Sequence, residues 1–354
     1  MESYPKVTLF VYSYNHEAFI KQAIEGAFAQ DYRNLEILLS DDCSSDRTFN
    51  IMREMACSYA GPHKIIINRN EHNLGITNHL NKIISLGDGN WFVLCAGDDI
   101  SKSDRVSKLM NIVSQDSDIL AVNTGYDTID ENGLINGFRG FKKDNLVALG
   151  ATGAWSRTLF DYFGPIRYQT VGEDEIIPVR AIFLGKLFLM NYSTIFYRQH
   201  RNSISSPTKV SHISAIQHMK SLYISRIGSF SQRLDDLQIA FNKNCITQSN
   251  YDYLHSVFEK EIASLKKQIR HNFIIENIFQ SSALDKFKFL IGKYSDIRIP
   301  VAKRAKIFFL SYKLIYKLNH RLKIKKNKIE YIKADIVIDI NYFINKAHGF
   351  LMWK

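Results

Sequence analysis

Asp41 and Asp42 stand at the exit of a short apolar run, Leu35-Glu36-Ile37-Leu38-Leu39-Ser40, and lead into Cys43-Ser44-Ser45-Asp46-Arg47-Thr48. A run of this length closed by turn residues predicts a buried strand of an α/β sheet. The carboxyl ends of such strands are where these sheets hold ligands. The same acids equally suit a turn and a helix N-cap, because Asp and Ser favour both. Two further acidic groups bear on the choice. Trp91-Phe92-Val93-Leu94-Cys95-Ala96 empties into Gly97-Asp98-Asp99, where a residue without side-chain bulk lets the turn bring both carboxylates together. Hard oxygen donors of this kind suit Mg²⁺ or Mn²⁺. Gly172-Glu173-Asp174-Glu175 opens a helical pattern through Ile176, Ile177, Val179 and Ala181. There the acids can also simply favour the positive end of the helix.

Between these groups the pattern alternates. Residues 7–12 predict a first strand, and Ile20, Ala23, Ile24, Ala27 and Phe28 recur at helical spacing behind it. Residues 65–67, 91–95 and 119–122 predict further short buried strands. The expected architecture is α/β, with a mostly parallel, Rossmann-like sheet between helices and a crevice above the strand ends at Tyr12, Ser40 and Cys95.

The order of these motifs carries a resemblance. Val7-Thr8-Leu9-Phe10-Val11-Tyr12-Ser13-Tyr14-Asn15, Gln30, the segment from Leu35 to Thr48, Asn73-Leu74-Gly75-Ile76, Gly97-Asp98-Asp99 and Glu173-Asp174 together resemble the family 2 glycosyltransferases of the GT-A fold. The resemblance runs from about Pro5 to about Ser206. It implies an inverting, metal-dependent transfer of one sugar from a nucleotide sugar, of the UDP class, to a hydroxyl of a glycan or lipid-linked acceptor in cell-surface polysaccharide synthesis. It further implies roles for single residues. Tyr12, Tyr14 and Glu17 lie along the nucleotide, with Tyr14 near the base, and Asp42 accepts a hydrogen bond from the pyrimidine ring. Asn78 belongs to the donor-binding set, and Asp98 lies near the ribose and the metal. Asp99 is the principal metal ligand. Asp174 is the catalytic base, assisted by Glu173. His200 completes the metal shell and Arg198 meets phosphate. Gly150-Ala151-Thr152-Gly153-Ala154-Trp155 resembles the segment lining the sugar and acceptor pocket, with Trp155 able to stack on a sugar face or to sit in a packed turn.

Three departures from the family pattern are visible. Tyr12 replaces a frequent Pro, Leu80 stands where an arginine often follows the Asn-x-Gly element, and Gly97 replaces the first acid of an acidic triplet. The Gln-x-x-Arg-Trp element of processive synthases is absent. A sugar nucleotidyltransferase would carry a Gly-rich, basic phosphate loop after its first strand, and residues 12–19 contain none. A non-catalytic nucleotide-sugar-binding protein would keep Asp42 and lose Asp99 or Asp174, and both are present.

With 354 residues, the chain predicts a catalytic domain over 1–207, a helical region over 208–282 and a basic amphipathic region over 283–354. The net charge of +11 is unevenly spread. Residues 1–207 hold 20 Lys/Arg against 24 Asp/Glu, and the remainder holds 26 against 11. An acid-rich catalytic half argues against nucleic acid as a partner, and the cationic remainder predicts an anionic membrane surface. Within residues 303–328, Ile307, Leu310, Leu314, Leu318 and Leu322 recur at helical spacing among Lys and Arg, the pattern of an interfacial helix. The alternative is a helix packed on the catalytic domain or in a homodimer. Four cysteines without ligand-like or framework spacing, and no apolar run of about 18 residues, predict a cytoplasmic protein, peripheral on the membrane.

Overall fold

The computed structural model describes residues 5–141, 149–168, 172–200, 212–280 and 351–353. At its centre, β1 (Val7–Ser13) lies parallel to β2 (Leu35–Asp41) on one side and to β4 (Trp91–Ala96) on the other. These strands are apolar on both faces because helices cover both. Val7, Leu9 and Val11 pack under α1 (Ile20–Phe28), α2 (Thr48–Ser58) and α4 (Arg105–Val113). Phe10, one residue out of phase, points to α3 (Gly75–Leu86), α5 (Arg157–Phe163) and α6 (Ile177–Leu184). Period-two alternation with both faces buried is what a central parallel strand requires.

The remaining strands are β3 (Lys64–Arg69), β5 (Ile100–Ser101), β6 (Ile119–Ile129), β7 (Ile135–Arg139), β8 (Gly153–Ser156), β9 (Lys186–Arg198) and β10 (Leu351–Trp353). The sheet order is β10-β9-β6-β8-β4-β1-β2-β3. Within this order only the short β8 runs antiparallel to its neighbours, β4 and β6. The mostly parallel α/β sheet is therefore as expected. One expectation fails: residues 65–67 are not a buried strand. They lie on β3, at the edge of the sheet, and Ile67 is 40% exposed.

Beyond β9, α7 (His212–Asn242) and α8 (Gln248–Gln280) form a long hairpin. Asn244 makes the turn at φ 59°, a left-handed conformation that Asn tolerates. The hairpin shares a core with the body of the molecule, where Phe230, Leu237, Leu254 and Phe258 pack with Phe163, Val179 and Phe183 of α5 and α6. The amphipathic segment 303–328 lies outside the described residues.

Candidate active site

The loops after β1 and β2 are stitched to each other over the carboxyl edge of the sheet. Asn15 N donates to Ser44 Oγ at 2.8 Å, His16 N to Thr48 Oγ1 at 2.8 Å and Glu17 N to Asp46 Oδ2 at 3.0 Å. In return Ser45 N donates to Asn15 Oδ1 at 2.9 Å and Arg47 N to Glu17 Oε2 at 3.0 Å. Polar side chains that favour turns here replace the ladder bonds that the strands no longer supply.

Asp41 and Asp42 divide the work at the end of β2. Asp41, wholly buried, accepts from Ser44 N at 2.9 Å and shapes the turn. Asp42 accepts from Asn70 Nδ2 and Leu74 N at 2.8 Å and from Gly75 N at 2.9 Å. Gly75 at φ 73° supplies the left-handed residue that aims these two successive amides at one carboxylate. The Asn-x-Gly element is thus physically the anchor of Asp42. Leu80, where the family often carries arginine, is buried in the core beneath.

At the end of β4, Gly97 N bonds Tyr12 O at 2.9 Å, and a Cβ at Gly97 would collide with Ser13 Oγ and His16 Nδ1. The space of the missing acid is therefore taken by His16, whose Nε2 lies 4.0 Å from Asp98 Oδ2. His200 Nε2 lies 3.0 Å from the same oxygen. Burial pushes the Asp98 carboxyl up, but the His200 bond and the charges of His16 and His200 outweigh it and hold Asp98 below its ordinary range. Asp99 behaves oppositely. Burial, and then the Asp98 charge, raise it well above the usual carboxylate value. Its Oδ1 accepts from Arg198 N at 2.8 Å, while its buried Oδ2 accepts no hydrogen bond among the described residues.

The third acidic group, Glu173–Glu175, forms a short 3-10 turn ahead of α6. Burial raises the Glu173 carboxyl, while burial followed by the charges of Glu173 and Glu175 lifts Asp174 well above the ordinary range. A Cβ at Gly150 would fall on Glu173 Oε1, so the small-residue segment 150–153 makes room for this acid. Tyr12 joins the two halves: after burial, the charges of Glu173, Asp98, Asp99 and Asp174 all act to raise its hydroxyl.

The sequence-predicted residues thus separate into groups. Tyr12, Asp98, Asp99, Glu173 and Asp174 converge, with His200 on Asp98. Asp42 and the exposed Asn78, on α3, lie on the β2 side, and Tyr14, 46% exposed, stands on the loop after β1. Glu17 uses its carboxylate on Arg47. Arg198, 1% exposed, turns its guanidinium inward to Asp98 O at 3.0 Å, Asp130 O at 3.2 Å, Glu131 O at 3.1 Å and Gln22, over the Phe19 ring. A buried charge costs several kcal/mol unless bonded in this way. Trp155 is fully buried on β8 against Phe10 and Phe160, so stacking on a sugar is excluded and the packed alternative holds. Sequence reasoning missed His16, Asn70 and His79. The last bonds Ser40 Oγ at 2.7 Å behind Asp42. No local pattern marks any of the three, which reach the site only through the sheet register.

Carboxylates at strand ends over a mostly parallel sheet, with an acid-bearing turn ahead of α6, fit the GT-A fold. The profile described as Glycosyl transferase family 2 matches residues 8–179, just under half of the chain. EpsE of Bacillus subtilis, a provisionally assigned glycosyltransferase, is 32% identical over 134 residues, 38% of this chain and 48% of EpsE. An uncharacterized glycosyltransferase of Haemophilus influenzae is 31% identical over 131 residues, 37% of this chain and 40% of its own. The chain thus spans about half the length of the curated relatives it matches, or less. In fold it is similar to the mannosyltransferase PcManGT of Pyrobaculum calidifontis, solved with GDP-Man and Mn²⁺. The TM-score is 0.51 at 14% identity, over 97% of this chain and 88% of that one.

Proposed function

We propose that this chain is an inverting, metal-dependent glycosyltransferase that moves one sugar from a nucleotide sugar of the UDP class to a hydroxyl of a glycan or lipid-linked acceptor, in the synthesis of cell-surface polysaccharide. The observation that supports it most is the gathering of Asp98, Asp99, Glu173 and Asp174 about Tyr12. Acids from the end of β4 and from the turn ahead of α6 that act on one tyrosine support a site in which a base and a metal-holding pair serve the same transfer.

Asp174 takes the proton of the acceptor hydroxyl as its oxygen bonds to the anomeric carbon. The bond from that carbon to the diphosphate breaks with its electron pair on the phosphate oxygen, so the configuration inverts. A raised carboxyl is the stronger base, and general-base help contributes on the order of 10²–10⁴-fold. Glu173 orients Asp174 or holds a sugar hydroxyl. Asp42, with two oxygens and three donors already bound, retains capacity for the imide N–H of a uracil. Tyr14 lies near the base.

The donor set fits a divalent cation: Asp99 offers a buried, unpartnered oxygen beside Asp98, and Mg²⁺ is commonly held by one or two carboxylates together with substrate phosphates. Among the described residues no three His, Cys, Asp or Glu gather as a ligand set, and Asp98 and Asp99 would hold the ion together with the phosphates of the donor. Such an ion would offset the charge of the departing diphosphate, a contribution of several kcal/mol. His200, whose Nε2 lies 3.0 Å from Asp98 Oδ2, would complete the shell beside Asp99.

Asp174→Asn tests the reading. It should abolish transfer while leaving the Kd for the donor within a fewfold, because it removes the proton acceptor and keeps size and polarity. Turnover within a fewfold of wild type would refute Asp174 as the base.

A further inference from the structure

The acid-bearing turn does not stand on the family domain alone. Arg233 of α7 lies beyond the matched segment and is 2% exposed. Its Nε donates to the backbone oxygen of Glu175 at 2.8 Å, and its Nη2 lies 3.9 Å from Glu175 Oε2. The guanidinium sits over the Phe230 ring at 4.8 Å, which fixes its approach. One turn further along α7, Asp236 binds Arg180 of α6 at 2.7 Å and 3.0 Å, and Arg180 Nη1 in turn reaches Gly164 O at 2.8 Å. Gln232 holds Asp236 with its amide at 2.9 Å and accepts from Arg167 N at 2.7 Å. Three neighbouring side chains of α7 therefore grip the segment carrying Asp174 before the turn, at the turn and after it.

Resting on the reading of Asp174 as base, we infer that Arg233 is a positioning residue for the transfer step: it pins the Glu173–Glu175 turn through Glu175 and balances that carboxylate, so the α7–α8 hairpin completes the active site. Placement of a reacting group matters steeply, a 1 Å error costing roughly 10²-fold. The charge matters as well, because Glu175 lies close enough to Asp174 to raise its proton affinity. The charged or titratable groups facing Asp174 are Glu173 and Glu175 on its own turn, Tyr12 of β1, and Arg233 acting through Glu175.

The test uses the full chain and reads nucleoside diphosphate release, across pH, from whichever of UDP-Glc, UDP-GlcNAc, UDP-Gal and GDP-Man the wild type hydrolyses fastest. Arg233→Met should lower kcat roughly 10–100-fold with donor KM within twofold, and should move the acidic limb of the kcat profile to higher pH. Adding Glu175→Gln to Arg233→Met should return the limb. Arg233→Lys, which keeps the charge and loses the fork, should lower kcat with the limb in place. Glu175→Gln alone should move the limb to lower pH, and this variant decides the matter if Arg233→Met does not fold. A purely structural role would lower yield and melting temperature without moving the limb; a limb unmoved in both Arg233→Met and Glu175→Gln overturns the inference. Asp174→Asn is run beside them. Its loss of activity with an unmoved Arg233→Met limb overturns only the Arg233 role, whereas full activity of Asp174→Asn overturns the base assignment and this inference together.

Discussion

At the scale of single residues the site is a set of acids held under strain of charge rather than of geometry. Asp174 keeps its proton to higher pH than an unfolded Asp, whose value is about 3.9. Below that value folded and unfolded chains are both protonated at this position and it costs nothing. As pH rises from there to the folded value, the unfolded chain releases a proton that the folded chain keeps, so stability falls across that window. Asp174→Asn removes the penalty. Thermal melts without donor should therefore show the inactive variant melting above wild type at pH 8, with the gap closing towards pH 4, at about 2–4 °C per kcal/mol relieved for domains of ~150–250 residues. A pH-independent difference would mean that the Asp174 carboxyl is not raised by its surroundings. Tyr12 shows a related division of labour: its ring packs against Phe10 and His79 while the charges of the acids act, after burial, to raise its hydroxyl.

At the scale of elements, the parts that periodicity and end-signals specify were legible. Residues 7–12, 35–40 and 91–95 are mostly apolar and buried on both faces because they are central strands, and each ends in residue types that leave a sheet. Periodicity does not say which strand is last in line, so β3 reads like its neighbours although Ile67 faces solvent. Nor does it say which way a side chain turns from a site-bearing strand. Trp155 on β8 points into the core, and Arg198 ends β9 with its guanidinium on backbone oxygens. Long-range ion pairs leave no local trace: Arg180 and Asp236 are 56 residues apart and each nearly unexposed. Breaking a buried pair on one side leaves the other charge uncompensated, so Asp236→Ala should cost about 3–5 kcal/mol in chemical denaturation. A cost below about 1 kcal/mol would show that α7 is not tied to α6 through this pair.

At the scale of the whole molecule, the charge is divided between an acid-rich first half and a basic remainder, and we propose that the remainder docks on an anionic membrane where a lipid-linked acceptor would be met. No helix among the described residues is long and apolar enough to cross a membrane. Each Lys or Arg near such a surface contributes about 1 kcal/mol before screening. Flotation with anionic vesicles should capture the full chain at low salt, release it at high salt and fail after deletion of residues 301–354; equal flotation of the deletion variant would assign the contact elsewhere. The central claim, that the acids at the strand ends carry out metal-assisted transfer from a nucleotide sugar, is met most directly by a donor panel. Nucleoside diphosphate release is followed from UDP- and GDP-sugars with Mn²⁺ and with chelator, for the wild type and Asp99→Ala. The account predicts that one donor is turned over in Mn²⁺ and that release is lost in chelator and in Asp99→Ala; turnover unchanged by both, or no turnover of any donor in Mn²⁺, would contradict it.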